Sequence, residues 1–524
     1  MKTISLFLLV SISSLLYSQS TPNVLWLVCE DQSMFFSPYG DHHADTPHLN
    51  RLSEDGTVYE NCFTPSPVCA PSRSSIITGM YPTSIGTQHM RTYKKNKKRD
   101  INPHNQLPFY SPLPQKNIQF FTETLRANGY YCSNNSKEDY NMLTSPLAWD
   151  ESSPQAHWCN RDSDQPFFSV FNFSITHESK VWENNVSYSK EELDLITLPV
   201  IFPQDDRIKT DFLTNYKNIE KLDKKLGDII QQLKDDGLYE NTIIFFFSDH
   251  GGPFPRYKRS IYDTGIQCPL VIKWHNHEIE KRNDQLISFI DFAPTVLDIL
   301  DIKSEHQMEG VSFYQKDQRQ QIFAATDRFD GFTDQRRCIR TKNYKLIYNL
   351  DLQSPIGKPI SYRHQMNTMK LLDSLYIIGA LNDCFNDWYN PSKVEFELYH
   401  LTDDPFELDN IIENPKYADV FVTLKDELMT WLKASDYGSL TEKEMVNLMF
   451  PNGIKPSQLT TPSIHQHQNG ISIETFEEDV SVGWRNQGET SWQIYLPNEI
   501  VNPNKSYEIM LFKSGYDIFT QSLQ

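Results

Sequence analysis

Positive charge is in short supply in this chain: 49 Lys and Arg stand against 68 Asp and Glu, a formal net charge of −19. Nucleic-acid binding relies on cationic contacts with phosphates, so DNA and RNA are disfavoured as the main partner. A small anion held in a local basic pocket remains compatible with that balance. No C-x-x-C pair occurs among the eight cysteines (Cys29, Cys62, Cys69, Cys132, Cys159, Cys268, Cys338 and Cys384), which leaves zinc ribbons and thioredoxin chemistry without support. Their spacings reveal no disulfide pairing. After Leu16 no apolar run is long enough to span a bilayer, and no Cys marks a lipoprotein cleavage site, so no stable membrane anchor is expected. Internal repeats are absent as well.

What is present is ample apolar material. The 524 residues are 39% hydrophobic and 13% aromatic, more than one compact core uses, so two or three units are expected. The opening MKTISLFLLVSISSLLYSQS puts one Lys before an apolar run from Ile4 to Leu16, with small residues at Ser18 and Ser20. That is the layout of a cleaved secretory signal over residues 1–18, and it implies an exported protein, periplasmic or secreted.

Asn23–Cys29 (NVLWLVC) is a continuous apolar run ending in Glu30-Asp31, the pattern of a strand buried on both faces with carboxylates emerging at its end. Thr242–Phe247 repeats the pattern and ends in Ser248-Asp249-His250-Gly251, and Pro166–Phe173 ends near His177. Between them Ile219, Leu222, Leu226, Ile229, Ile230 and Leu233 mark one face of a helix. Strands alternating with helices predict an α/β unit over residues 21–325, a mostly parallel central sheet flanked by helices. In such sheets ligands bind beyond the carboxyl ends of the strands, so three polar strand ends point to one pocket. From about Arg336 the texture changes. Cys338–Tyr348 alternates like an exposed antiparallel strand and Val420–Leu432 reads as a helix, which predicts a smaller α+β subdomain over residues 326–454. Pro451–Pro456 and Pro462 read as a linker, and short alternating segments at Ile471–Glu474 and Ser491–Tyr495 predict a small β module over residues 463–524.

Pro67–Gly79, PVCAPSRSSIITG, places a thiol at the start of a helix, ahead of a Pro, a Ser and an Arg. It resembles, without a mismatch, the signature of the type I sulfatases of the alkaline phosphatase superfamily, in which the Cys of C-x-P-S-R is oxidised to formylglycine during export. The likeness continues in the family's order through Asn23–Asp31, Phe245–Pro269, Asp291–Leu300 (DFAPTVLDIL), Arg340–Tyr348 and Glu397–Asp409 (ELYHLTDDPFELD), roughly residues 21–440. It is similar to bacterial polysaccharide sulfatases in particular and implies an alkaline-phosphatase-like fold. An aldehyde hydrate offers one hydroxyl to attack sulfur and a second whose deprotonation later expels sulfate. A plain Ser or Cys lacks that release route. The resemblance also implies a formylglycine-generating maturation enzyme as a partner.

The resemblance then assigns roles. Cys69 becomes the nucleophile and Arg73 stabilises it; Lys137 and Lys258 bind sulfate; His177 serves the leaving oxygen. Glu30, Asp31, Asp249 and His250, together with Cys69 in its oxidised form, would hold calcium, whose preference is for hard oxygen ligands. A divalent cation lowers the pKa of a bound hydroxyl and neutralises sulfate oxygens. Glu30 stands where the family usually has Asp. His250 is either a calcium ligand or a contact to the hydrate or sulfate. Gly129–Tyr140 departs further from the family's Gly-Lys-x-His: Lys137 fits the lysine, but Asp139 replaces the histidine credited with collapsing the hydrate. Either Asp139, counted with the substrate-binding residues, takes over as base, or another group does.

His89 and Arg91 follow the signature helix and are placed to meet a sugar. Arg91–Arg99 then packs six cations into nine residues, a rim suited to a polyanionic chain. The expected reaction is removal of sulfate from a sulfated polysaccharide or oligosaccharide, ulvan-, carrageenan- or heparan-like. The alternatives are a phosphodiesterase or phosphonate monoester hydrolase of the same superfamily and a catalytically inactive sulfoglycan-binding protein.

Overall fold

The computed structural model describes residues 21–93, 100–183, 186–275, 280–314, 319–454 and 456–524. The signal expected at residues 1–18 and the Lys94–Arg99 part of the cationic run lie outside them. Eight strands build the main sheet: β1 (Asn23–Cys29), β2 (Thr57–Phe63), β3 (Tyr131–Asn135), β4 (Glu151–Ser152), β5 (Phe167–Phe173), β6 (Thr242–Ser248), β7 (Leu270–Lys273) and β8 (Arg282–Ser288). Their order is β4-β3-β5-β1-β6-β7-β2-β8. β1 runs parallel to β5 and β6, β3 to β4 and β5, and β2 to β8, whereas β7 runs antiparallel to both its neighbours.

The unbroken apolar runs follow from burial on both faces, because successive strand side chains point to opposite sides. Leu25, Leu27 and Cys29 enter one core while Val24, Trp26 and Val28 enter the other; in β6, Ile244 and Phe246 oppose Ile243, Phe245 and Phe247. Helices cover both faces: α1 (Cys69–Thr78), α2 (Asp206–Asp235) and α3 (Phe292–Ile299). The first core receives Ile219, Leu222, Leu226, Ile230 and Leu233 from α2, and the second receives Ile76 and Ile77 from α1 and Phe292 and Val296 from α3. Each such side chain, taken wholly out of water, contributes about 1.5–3 kcal/mol.

A second, antiparallel sheet of β9 (Gln321–Phe329), β10 (Phe332–Thr341), β11 (Tyr344–Asn349) and β12 (Phe396–His400) follows. One face takes Leu424, Leu428 and Leu432 from α4 (Ala418–Ala434), and the other packs Ala324, Cys338 and Ile347 against Phe63 and Ile261 of the first unit. Cys338–Tyr348 is therefore not one exposed strand: it is most of a hairpin that turns at Lys342-Asn343 and is covered on both faces. The polar positions that suggest a solvated face are buried ions. Arg336 pairs with Glu397 at 2.7 Å, and Lys345 sits between Asp263 at 2.9 Å and Glu407 at 2.8 Å. Asp263 belongs to the first unit, so these ions join the two sheets.

After α5 (Glu442–Met449) come a hairpin of β13 (Ser463–His467) and β14 (Gly470–Glu474) and a four-stranded antiparallel sheet. The latter has the order β16-β15-β17-β18, from β15 (Ser481–Asn486), β16 (Gln493–Tyr495), β17 (Tyr507–Phe512) and β18 (Phe519–Leu523). All eight cysteines are free thiols, and among the described residues no helix is long and apolar enough to cross a membrane. Replacing Lys345 by Met leaves Glu407 buried without its cation. Unfolding free energy is expected to fall by about 3–5 kcal/mol, measured by chemical denaturation.

Candidate active site

β1, β2, β3, β5 and β6 all point the same way, so the segments that follow them meet at one edge of the sheet. β1 delivers Glu30 and Asp31, β2 leads through Thr64–Val68 into Cys69, β3 delivers Lys137 and Asp139, β5 His177, and β6 Asp249 and His250. Asp31 adopts a left-handed φ of 55° as the chain leaves β1, which Asp tolerates better than most residues.

Cys69 opens α1 behind an extended Val68, no side chain caps the helix, and all ten of its residues are buried. The rest of the signature fastens this helix end to β6. Ser72 Oγ donates to the Asp249 carbonyl at 2.5 Å and accepts from Thr64 Oγ1 at 2.8 Å. Arg73 clasps Asp249 Oδ2 through Nε and Nη2, both at 3.1 Å, and reaches Asn172 Oδ1 through Nη1 at 2.7 Å.

Asp31, Cys69, Asp249 and His250 offer ligand atoms within 4.8 Å of one another, and all four residues are buried. The Asp31 amide donates to Asp249 Oδ1 at 3.2 Å. Asp31 Oδ2 accepts from Lys258 Nζ at 2.6 Å and from the Glu178 amide at 2.6 Å. Asp31 Oδ1 lies 3.1 Å from His250 Nε2 and accepts no aligned hydrogen bond. His250 Nδ1 is 2.9 Å from the Gly251 carbonyl, so it carries a proton and leaves Nε2 facing Cys69 Sγ at 3.3 Å.

Charge explains how these carboxylates survive burial. Desolvation pushes Asp31 up, but Lys258 and His250 outweigh it and hold the carboxyl well below the usual range. Asp249 is opposed by the same burial, yet His250 and Arg73 bring it down to about 2. Desolvation opposes the charge on His250 in turn, while Asp249, Cys69 and Asp31 raise it to about 10. Lys258 and Arg73 lie above their ordinary values, because Asp31 beside Lys258 and Asp249 beside Arg73 overcome desolvation.

Glu30 stands apart from the four-residue cluster. It pairs with Lys137 Nζ at 2.9 Å and groups with Asp31 and His177 instead. Burial lowers His177, whose Nδ1 accepts from the Ser179 amide at 3.3 Å and whose Nε2 lies 3.5 Å from Lys258 Nζ. Asp139 is half-buried, has a left-handed φ of 56°, and contributes to the field that keeps Arg73 charged. Arg91 is the exposed member: its guanidinium meets Asp330 at 3.2 Å with 53% of the side chain in solvent. His89 is buried with Nδ1 accepting from the Arg328 amide at 3.3 Å, and it lines a polar cavity of about 350 Å³ with His104 and Glu442.

Sequence reasoning missed the supports of Lys258. Glu178 lies 3.2 Å from Lys258 Nζ, Arg259 grips Glu178 at 2.7 and 2.9 Å, and Asp330 in the β9–β10 turn accepts from Arg259 at 2.8 Å. Glu178 and Arg259 sit beside His177 and Lys258 in the sequence, a cue that was there to be read; Asp330 arrives from the other sheet, and no local pattern marks it.

A family model described as "Sulfatase" matches residues 22–302, and one for the C-terminal part of N-sulphoglucosamine sulphohydrolase matches residues 253–354. An ulvan-active sulfatase of Formosa agariphila is 41% identical over 541 aligned positions, covering 94% of this chain and 90% of that protein. Among solved structures, one determined with its substrate D-glucosamine-2-N,6-O-disulfate matches at a TM-score of 0.54 and 16% identity, over 80% of this chain and 100% of that one. A phosphonate monoester hydrolase of Agrobacterium radiobacter matches at 0.52 and 15%, over 79% and 95%. At those identities the two structures share the fold.

Arg73→Lys keeps a cation but cannot clasp Asp249 and Asn172 together. Turnover is expected to fall about 10²-fold with little change in thermal midpoint, measured by steady-state kinetics beside scanning fluorimetry.

Proposed function

This chain belongs to the sulfatase family, and on that premise we propose that it is an exported, calcium-dependent enzyme that removes sulfate from a sulfated glycan with formylglycine at position 69. One observation carries the reading: Asp31, Cys69, Asp249 and His250 converge within 4.8 Å at the sheet edge, with Arg73, Lys137 and Lys258 ion-paired around them to Asp249, Glu30 and Asp31, a concentration of cations that suits an anionic substrate in an acidic protein. The relative at 41% identity, named for activity on ulvan, supports a sulfated polysaccharide or its oligosaccharides as substrate.

The donor set fits calcium. Asp31 and Asp249 present hard oxygens at the bottom of the site, and Asp31 Oδ1 has no aligned donor of its own. Glu30, Asp31, Asp249 and the oxidised Cys69 would hold the ion, with His250 either joining them through a neutral Nε2 or contacting the nucleophile; Lys137, paired with Glu30, would lie beside them. Bound calcium supplies a lowered pKa for the attacking hydroxyl and neutralises sulfate oxygens. Arg73 holds Asp249 in register with the first turn of α1. Lys137 and Lys258 bring positive charge to the sulfate oxygens, and His177 can donate to the leaving oxygen. Asp139, close to Arg73, is the acidic group available where relatives use histidine in the release step.

The deciding experiment measures sulfate release from ulvan, carrageenan and heparan-type oligosaccharides by protein whose conversion at Cys69 has been verified by mass spectrometry. Release from at least one is expected. Faster cleavage of aryl phosphodiesters than of any sulfate ester would favour the phosphodiesterase reading. Binding without release by converted protein would favour an inactive glycan-binding protein. Cys69→Ala should lower turnover by at least about 10³-fold while leaving the fold intact by circular dichroism. Chelation of divalent cations should lower turnover by about 10²-fold or more, with recovery when Ca²⁺ is returned.

A further inference from the structure

Three residues beyond Met90, which packs against Val68 and Cys69, Tyr93 lines a cleft of about 370 Å³. Its walls come from separated parts of the chain: Tyr93, Phe109 and Ser111 from the catalytic unit, Phe450 just after α5, and Tyr516 and Asp517 from the β17–β18 turn. Three extended residues span at most about 10 Å, so the cleft opens beside the Arg91 rim. The Tyr110 amide donates to the Thr92 carbonyl at 3.0 Å and fixes that connecting segment.

The outer wall is built, not loosely apposed. Gly515 has a φ of 81°, and a Cβ there would stand 2.6 Å from Leu113 Cδ1 and 3.0 Å from the Pro112 carbonyl oxygen. The turn of the terminal sheet thus lies directly on the backbone of the catalytic unit, an approach that only glycine permits. On the other side the Asp517 amide donates to the Ser457 carbonyl at 3.0 Å, and Gln458 Nε2 donates to Asp517 Oδ2 at 2.6 Å.

The lining is aromatic with one carboxylate, and none of its described residues is cationic. Half-buried Tyr93, Phe109 and Tyr516 offer ring faces for the C–H face of a pyranose, and Asp517 keeps an oxygen to accept from sugar hydroxyls. Asp517, the charged group among the described lining residues, disfavours a sulfate beside it, while Lys513 Nζ stands 5.6 Å from the Tyr516 ring centroid without itself lining the cleft. We propose that the cleft is a second glycan subsite, shared by the catalytic unit and the C-terminal β module, which takes an unsulfated pyranose of the same chain whose sulfated unit lies at Cys69. This assignment rests on the glycan-sulfatase reading above and gives the C-terminal module a role in holding substrate.

Calorimetric titration with chemically desulfated ulvan, carrageenan and heparan oligosaccharides tests it apart from turnover. At least one desulfated chain is expected to bind, Tyr516→Ala to weaken it about tenfold, and Tyr516→Phe to retain it. Tyr93→Ala, on the opposite wall, should act like Tyr516→Ala and covers the case in which that variant fails to fold. No binding by any desulfated chain, or binding by both alanine variants as tight as by the unaltered protein, overturns the subsite whatever the enzyme hydrolyses. In kinetics the two alanine variants should raise KM for long sulfated oligosaccharides about tenfold more than for a sulfated monosaccharide. An equal change for both lengths overturns it too. If no sulfated glycan is hydrolysed while a desulfated chain binds and is lost in the alanine variants, the substrate reading fails and the subsite stands.

Discussion

Two carboxylates shut away from water, Asp31 and Asp249, set the terms for everything at the carboxyl edge of the main sheet. Both are 0% exposed and in backbone-to-side-chain contact with each other. Charges so placed would discharge by taking up protons unless cations were brought to them. Those cations come from different elements: Arg73 from α1, His250 from just past the end of β6, and Lys258 from the loop that follows. The fold at this edge is the set of chain returns needed to deliver them.

The second sheet takes part in that delivery. Lys258 is steadied by Glu178, Glu178 by Arg259, and Arg259 by Asp330 at the tip of the β9–β10 hairpin. Nearby, Arg256 donates to the backbone carbonyls of Phe406 and Glu407, and the Asp263 amide to the Glu407 carboxylate. The loop that carries Lys258 is thus pinned from both ends by residues of the smaller unit. Hydrophobic contact alone would let the two units slide; directional, fully buried ion pairs fix their register.

Much of this was legible in the sequence, for identifiable reasons. The main sheet announces itself because strands buried on both faces write unbroken apolar runs, and its strand ends announce the site because Glu30-Asp31 and Asp249-His250 interrupt those runs with charge. Cys69, Ser72 and Arg73 could be read together because a single helical turn holds all three. The second sheet was harder. Arg336, Arg340 and Lys345 look like solvent-facing residues until Glu397, Asp263 and Glu407 are seen beside them, and those partners are more than 50 residues away in sequence. The position of His89 after the signature helix predicts a contact with sugar but not the backbone amide of β9 that holds its Nδ1. Periodicity says which face is charged; it does not say whether that face is wet.

The alternating chain Asp31–Lys258–Glu178–Arg259–Asp330–Arg91 runs from dry interior to open solvent, and ionic strength divides it. At physiological salt mobile ions screen over about 8 Å, but only where they can enter. Arg259, with 8% of its side chain exposed, is sheltered from them; Arg91, with 53%, is not. Added salt therefore screens the Arg91 end, where the proposed anionic chain would arrive, while leaving the inner ion pairs almost untouched. Encounter and chemistry, though joined by one run of charges, answer to the surrounding electrolyte separately.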